Sequence, residues 1–191
     1  RRGTAFERVY RPIWKESGVR ETPQPLVKDL LPDADPTDLR KSDFEIRGCA
    51  LGRGLPVVCD MCMGSALHSD GTPYAGASNV DCATIDRLTH RKRVTEYPDL
   101  ATSPQIEYLV LACEEGGRWG PDQHRLLRSI VRTKVASIHP LLRRRASLAY
   151  TRRWWGILSI GAQTVAADCI LGRDSPVPAP TTALPLASVL P

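Results

Sequence analysis

The chain has 191 residues, 42% of them hydrophobic and 25% charged, and its net charge is +5 at neutral pH. A chain of this length forms one domain with room for tails, and it can bury a sizeable hydrophobic core. Its six cysteines are widely spaced and no signal peptide precedes them. This argues against a disulfide framework and predicts reduced thiols in an intracellular protein.

Residues 1–40 hold five prolines, and this density predicts an irregular lead-in with a short helix near Val27–Leu31. The chain begins Arg-Arg-Gly without Met, so we expect it to be part of a longer product. Residues 41–120 predict a small α/β core. Its elements are strands at 41–47, 55–63 and 105–114, with a helix at about 80–95 that Tyr97-Pro98 ends.

Pro121 and Asp122 open a predicted helix that runs to about His139, where Pro140 interrupts it. A second helix follows to about Leu171, so residues 121–171 predict a basic helical hairpin. Its final part is apolar, but it is short for a membrane span of about 20 residues and contains polar side chains. We therefore expect a packed helix and no membrane contact. The proline-rich segment 172–191 predicts a disordered tail.

The positive charge is concentrated between Arg118 and Arg153, a stretch that contains ten Arg or Lys residues and one acidic residue. This stretch carries +9, which leaves −4 for the rest of the chain. A basic region joined to an acidic one favours nucleic acid as the partner, although a solvated helix surface has the same pattern. The candidate phosphate contacts are Arg118, Arg125, Arg128, Arg132, Arg143, Arg144 and Arg145.

Charged residues also lie within or at the ends of the apolar segments of the predicted core. Asp60 lies inside the apolar run 55–63, and Glu114 closes the run 108–114. A buried carboxylate needs a partner, because an unpaired buried charge costs several kcal/mol. Lys92 lies on the same helical stripe as the apolar Ile85 and Leu88, so we expect it to reach buried carboxylates. A partly exposed Asp60 with a snorkelling Lys92 is the structural alternative.

Cys59-x-x-Cys62 has the spacing of a zinc knuckle. Zinc motifs place both thiolates on a tight turn, whereas residues three apart on a strand point to opposite faces. The pair therefore predicts buried thiols.

Three segments together resemble the region that follows the polymerase in non-LTR (LINE-like) retrotransposon proteins. That region is a restriction-endonuclease-like domain of the PD-(D/E)xK type. The resemblance covers roughly residues 25–172, and its motifs are loose individually but moderately specific in order and spacing. The segments are LPVVCDMCMGSALHSDG (55–71), RKRVTEYPDL (91–100) and LVLACEEGGRW (109–119).

The resemblance implies a small mixed sheet of the PD-(D/E)xK type and a catalytic set of Asp43, Asp60, Lys92 and Glu114. Asp43 and Asp60 would hold Mg²⁺ or Mn²⁺, and Glu45 is a substitute for Asp43. Ser42 stands where the family has a proline. Cys62 stands where its lysine usually lies, but the family often supplies that lysine from the following helix, as Lys92 would.

The resemblance further implies a metal-dependent endonuclease that nicks DNA during element integration, in the nucleus, within a polypeptide that carries an upstream polymerase. DNA would be the main partner and RNA a further one. Two alternatives stay open, namely a catalytically inactive nucleic-acid-binding module and a degenerate retroelement fragment that folds weakly.

Overall fold

The structure is a computed structural model that describes residues 2–77 and 79–171. These residues form a four-stranded sheet with helices on both faces, in agreement with the predicted α/β class. The predicted strands and the 80–95 helix are confirmed with shifted ends. In chain order the main elements are α1 (Arg2–Ser17), β1 (Arg20–Pro23), α2 (Val27–Leu30), β2 (Phe44–Arg47), β3 (Val57–Gly64), α3 (Ala83–His90), a π-helical segment (Arg91–Glu96), α4 (Pro98–Thr102), β4 (Glu107–Glu114), α5 (Pro121–Ala136) and α6 (Arg143–Ile170).

The sheet is mixed, with the strands side by side in chain order. Antiparallel pairing joins β1 to β2 and β2 to β3, whereas β3 and β4 are parallel. The crossover from β3 to β4 includes α3, as a parallel connection requires. In the β3–β4 register Asp60 lies beside Val110. The predicted small mixed sheet is therefore present.

One face of the sheet packs against α1, α5 and α6 and holds the larger core cluster. Its centre contains an aromatic group in which Tyr10, Trp14 and Phe44 have ring centroids 5.1–5.4 Å apart. Trp154 of α6 is fully buried in the same cluster. Its indole N–H donates to Glu16 at 2.7 Å, so α6 is tied to α1 by a polar contact as well as by packing.

The opposite face packs against α3, the π-helical segment and α4 around a smaller cluster. Val58 and Cys62 of β3 point to this face, whereas Cys59 and Met61 point to the larger cluster. This alternation places Asp60 on the side of the smaller cluster. The two faces therefore differ in size and in chemistry.

The outer edge of β4 is closed by polar groups from other elements. Asp122, at the start of α5, accepts the backbone N–H of Val110 at 3.1 Å. Arg93 donates to the carbonyl of Tyr108 at 3.2 Å and to Asp122 at 2.7 Å. An open edge can pair with another strand, so this arrangement protects the sheet from edge-to-edge association.

The prediction of an irregular lead-in at 1–40 is wrong for its first half. Pro12 lies within α1, where an interior proline costs about 3 kcal/mol. The helix forms because Val9, Tyr10, Ile13 and Trp14 fall on one buried stripe. Each such buried side chain contributes about 1.5–3 kcal/mol, which together offsets the proline. The prediction failed because it used the number of prolines and did not take this apolar stripe into account.

The predicted helical hairpin is confirmed, since α5 and α6 pack against each other after a break at Pro140. Arg143 closes the turn by donating to the carbonyls of Ile138 and Ala136 at 2.9 and 3.0 Å. No helix within the described ranges is long and apolar enough to cross a membrane. The predicted disordered tail at 172–191 lies outside the described residues.

Candidate functional site

The centre of the site is an ion pair between a strand and a helix. The ammonium nitrogen of Lys92 lies 2.6 Å from Oδ2 of Asp60, and both side chains are shielded, at 12% and 5% exposure. The pair joins the middle of β3 to the π-helical segment. The sequence prediction that Lys92 meets a buried carboxylate is confirmed. The alternative of a partly exposed Asp60 is wrong, because only 3% of the residue is accessible.

Glu96 is a second carboxylate on Lys92, and the sequence analysis missed it. Its Oε2 lies 2.5 Å from the Lys92 nitrogen, four residues earlier in the chain. Both residues belong to the π-helical segment, which ends where the N–H of Tyr97 bonds to the carbonyl of Lys92 at 2.9 Å. An (i, i+4) acid–lysine spacing was the available signal. Single-turn π segments occur frequently at functional sites.

Tyr97 forms a wall of the site. Its hydroxyl donates to the carbonyl of Lys41 at 2.7 Å, and its ring lies 5.4 Å from the Lys92 nitrogen. Burial, followed by the negative charge of Asp60, raises the pKa of Tyr97 to about 12. The phenol therefore stays protonated and holds the segment before β2 against the π-helical segment.

Asp43 lies beside Asp60 on the neighbouring strand. Its backbone N–H donates to the carbonyl of Cys59 at 3.2 Å, and its Oδ2 accepts the N–H of Met61 at 2.5 Å. These bonds continue the β2–β3 ladder one step beyond the last paired residues. Asp43 therefore stands opposite Asp60 in the continued register.

Electrostatics in the cluster are dominated by burial. Burial and the charge of Asp60 raise the pKa of Asp43 to about 7, against the bond from Met61. Burial also raises the pKa of Asp60, while Lys92 opposes this. Although burial favours a neutral amine, the carboxylates of Asp60 and Glu96 raise the pKa of Lys92 above its usual value. Lys92 is therefore a cation at neutral pH.

Two carboxylates named from the sequence lie away from this cluster. Glu114 is four residues beyond the strand partner of Asp60, about 13 Å along β4. It faces Arg118 at 3.6 Å. Glu45, the substitute for Asp43, stands opposite Val58 and pairs with Arg47. The structure thus brings together Asp43, Asp60 and Lys92, and it does not bring Glu114 to them.

The candidate phosphate-binding arginines divide into two groups. Arg118 pairs with Asp81 and Glu114, Arg125 pairs with Glu107 and Asp122, and Arg143 closes the hairpin turn. The other four are exposed and form no ion pair with a described residue. These four are Arg128, Arg132, Arg144 and Arg145. Their helices, α5 and α6, pack on the sheet face opposite Asp60.

The cysteines behave as predicted. All six are free, and Cys59 and Cys62 are buried in different clusters on opposite faces of β3. Burial raises the pKa of Cys62 to about 12, so its thiol is not ionised at neutral pH. The zinc interpretation of this motif has no geometric support.

The carboxylates of Asp43 and Asp60 fit a hard divalent cation. Burial raises the pKa of Asp43, and repulsion by the Asp60 carboxylate raises it further. A cation between them would relieve that repulsion. No group of three or more His, Cys, Asp or Glu side chains within residues 2–77 and 79–171 is arranged to hold a metal ion. Mg²⁺ is often held by one or two carboxylates with water and substrate phosphate, so two are enough.

A scan against protein-family models and a search of the curated proteins each found no match for this chain. The geometry of the site therefore carries the functional argument.

Proposed function

We propose that this chain is the endonuclease-like part of a retrotransposon protein and that it nicks DNA by Mg²⁺-dependent hydrolysis of a phosphodiester. The observation that carries the proposal is the junction of Asp43, Asp60 and Lys92. Asp60 of β3 meets the shielded Lys92 at 2.6 Å, and the half-buried Asp43, just before β2, stands opposite Asp60. The mixed sheet is in keeping with the PD-(D/E)xK type that the resemblance implies.

Each residue has a distinct part in this proposal. Asp43 and Asp60 would hold Mg²⁺ or Mn²⁺, and the bound cation would polarise the phosphate and activate water. Lys92 would stabilise negative charge that develops on the phosphate, because its raised pKa keeps it protonated. Glu96 holds the lysine in place from the other side at 2.5 Å. Glu114 is left out of the catalytic set.

The test is nicking of supercoiled plasmid with Mg²⁺ by the wild-type protein, Asp60→Asn and Glu114→Gln. We expect Asp60→Asn to lose at least about 100-fold in rate, because removing a metal ligand should cost more than the 10–100-fold typical of an outer-shell partner. Glu114→Gln is the matched control and should retain wild-type nicking. Equal nicking by wild type and Asp60→Asn would assign the activity to a contaminant.

A nucleic-acid-binding module without hydrolysis is the second candidate. The four exposed arginines without ion-pair partners favour it, since guanidinium groups contact phosphate well. DNA binding that weakens steeply with salt, together with absent nicking in Mg²⁺ and in Mn²⁺, would select this candidate. Loss of binding in a protein that unfolds at low temperature would select the degenerate fragment instead.

A further inference from the structure

A cavity of about 680 Å³ opens beside Lys92, and neither Asp43 nor Asp60 lines it. The end of β3, the segment 64–74 and the helical residues 87–92 surround it. Its volume falls within the range of about 300–1,000 Å³ that small-molecule sites occupy. The proposed catalytic role of Lys92 does not account for this space.

The cavity contains a cation without a carboxylate partner. Three cationic side chains line it, those of Arg87, Arg91 and Lys92. Lys92 is paired with Asp60, and Arg91 is paired with Glu96 at 2.9 Å. Arg87 forms no ion pair with any described residue. One of its terminal nitrogens donates to the carbonyl of Ser65 at 2.9 Å, while its buried Nε has no hydrogen-bond partner. An anion in the cavity would balance the charge of Arg87.

The remaining wall suits a flat aromatic group. The rings of His68 and Tyr74 have centroids 3.6 Å apart, and the guanidinium of Arg87 lies 3.3 Å from the centre of the Tyr74 ring. His68 is exposed, so its outer face is open to a further ring. Cys62 and Leu88, which belong to the smaller cluster, supply the apolar part of the wall. Bases of single-stranded nucleic acid stack on aromatic side chains in this way.

We propose that the cavity binds one nucleoside monophosphate unit, with its phosphate at Arg87 and its base against His68. The proposal rests on the proposed function, because the unit would be a nucleotide turned out of the DNA strand beside the bond that is cut. Enzymes that act on nucleic acid turn out nucleotides at a modest cost, which is lowest in mismatched or single-stranded DNA. Glu115 is the one carboxylate on the lining and lies exposed at its rim.

The first experiment measures binding of AMP, adenosine and inorganic phosphate by isothermal titration calorimetry without divalent metal. We expect AMP to bind at least about tenfold more tightly than either part, since the two contacts act together. Arg87→Gln should weaken AMP about tenfold or more and leave adenosine unchanged. His68→Ala should weaken AMP and adenosine alike. Arg11→Gln, at an exposed arginine of α1 that is not among the candidate phosphate contacts, is the matched control and should change neither.

Undetectable AMP binding, or equal effects of Arg87→Gln and Arg11→Gln, would overturn the proposal. Thermal midpoints of all variants within about 2 °C of wild type show that folding is not the cause of a loss. Because His68 is exposed, its replacement keeps the test open if Arg87→Gln unfolds.

The second experiment separates a free nucleotide from a nucleotide within DNA. Single-stranded DNA that carries 2-aminopurine is titrated in EDTA. A fluorescence change that Arg87→Gln removes and Arg11→Gln keeps identifies a strand nucleotide as the ligand. AMP binding without this change identifies a free nucleotide as the ligand and overturns the DNA placement. If the protein nicks DNA but shows neither AMP binding nor the 2-aminopurine change, the cavity proposal is wrong and the nuclease proposal stands. If it shows both signals but does not nick DNA, the nuclease proposal is wrong and the cavity proposal stands.

Discussion

The two faces of the sheet are built on different principles. The face against α1, α5 and α6 is large and aromatic, with Trp154 and Phe44 fully buried. The face against α3 and the π-helical segment buries fewer apolar side chains and holds Asp60, Lys92 and Glu96 in contact. Burial of apolar area stabilises a domain, whereas burial of charges costs free energy unless they are paired.

The difference suggests a division of work within a small chain. Burial of apolar side chains on the aromatic face stabilises the fold, and this offsets the free-energy cost of burying charges on the other face. The two faces share β3, where alternate residues serve each side. A substitution on one face should therefore change stability alone, and one on the other should change stability in a pH-dependent way.

The largest effect is expected for Trp154→Ala on the aromatic face. It removes a fully buried indole and the N–H that Glu16 accepts, and we expect a loss of about 3–5 kcal/mol in the free energy of unfolding. Urea denaturation followed by circular dichroism measures it. Trp155→Ala, at a half-buried neighbouring position, should cost clearly less. Equal costs would contradict the central place of Trp154.

Lys92→Met should have the next largest effect. The variant keeps the aliphatic stem but leaves Asp60 buried without its cation, which should cost about 2–4 kcal/mol at pH 8. Asp60 then prefers the protonated state in the folded protein, so the loss should grow as pH rises above the unfolded pKa of about 4. Denaturation curves between pH 5 and 8 test this.

The double variant Lys92→Met with Asp60→Asn is the control for that measurement. It removes the buried charge together with its partner, so it should recover part of the stability and lose the part of the pH dependence that Asp60 causes. A double variant that is less stable than Lys92→Met would show that Asp60 contributes through contacts other than the ion pair.

Asp43→Asn should stabilise the protein by about 1–3 kcal/mol at pH 8. The folded pKa of about 7 exceeds the unfolded value of about 3.9, so the folded state binds the proton more tightly. Stability of the wild type therefore falls as pH rises from about 4 to 7, and the variant should lack this fall. Thermal melts across that range measure it. Mg²⁺ should stabilise the wild type at pH 8 and leave the variant unchanged.

The smallest effect is expected in the hairpin. Arg143→Ala removes two bonds to carbonyls at the end of α5 and should cost about 1 kcal/mol. Arg144→Ala, next in the chain and without an ion pair to a described residue, should cost nearly nothing in stability. The two variants separate an arginine that holds the turn from one free to meet phosphate. Differential scanning calorimetry resolves them.

Features of the site that depend on neighbouring residues within one element could be predicted from the sequence. The period-2 pattern of β3 placed Cys59 and Cys62 on opposite faces, and the apolar stripe of the helix led to Lys92 as the partner of Asp60. Both inferences need only neighbouring residues on one element. They succeeded because a strand or helix fixes which side chains share a face.

Inferences that depend on distance along a strand or on packing were weaker. Glu114 shares a face with Asp60 but lies four residues further along β4, and a face pattern does not give register. The helix α1 was missed because the prolines of residues 1–40 were counted without weighing the apolar stripe that packs on the sheet and α6. Glu96 was missed although it lies four residues after Lys92, a spacing that places both side chains on one helical face.

The π-helical segment makes the site depend on chain length as well as on residue identity. Each residue in a regular helix advances the chain by about 100°, so deleting one residue between Arg91 and Glu96 would rotate everything on one side of the gap by that angle. Lys92 and Tyr97 could then no longer both face Asp60. A point substitution in this segment would affect only the contacts of the residue it replaces. A single-codon deletion, in contrast, would separate the members of the cluster from one another although all of them remain in the chain.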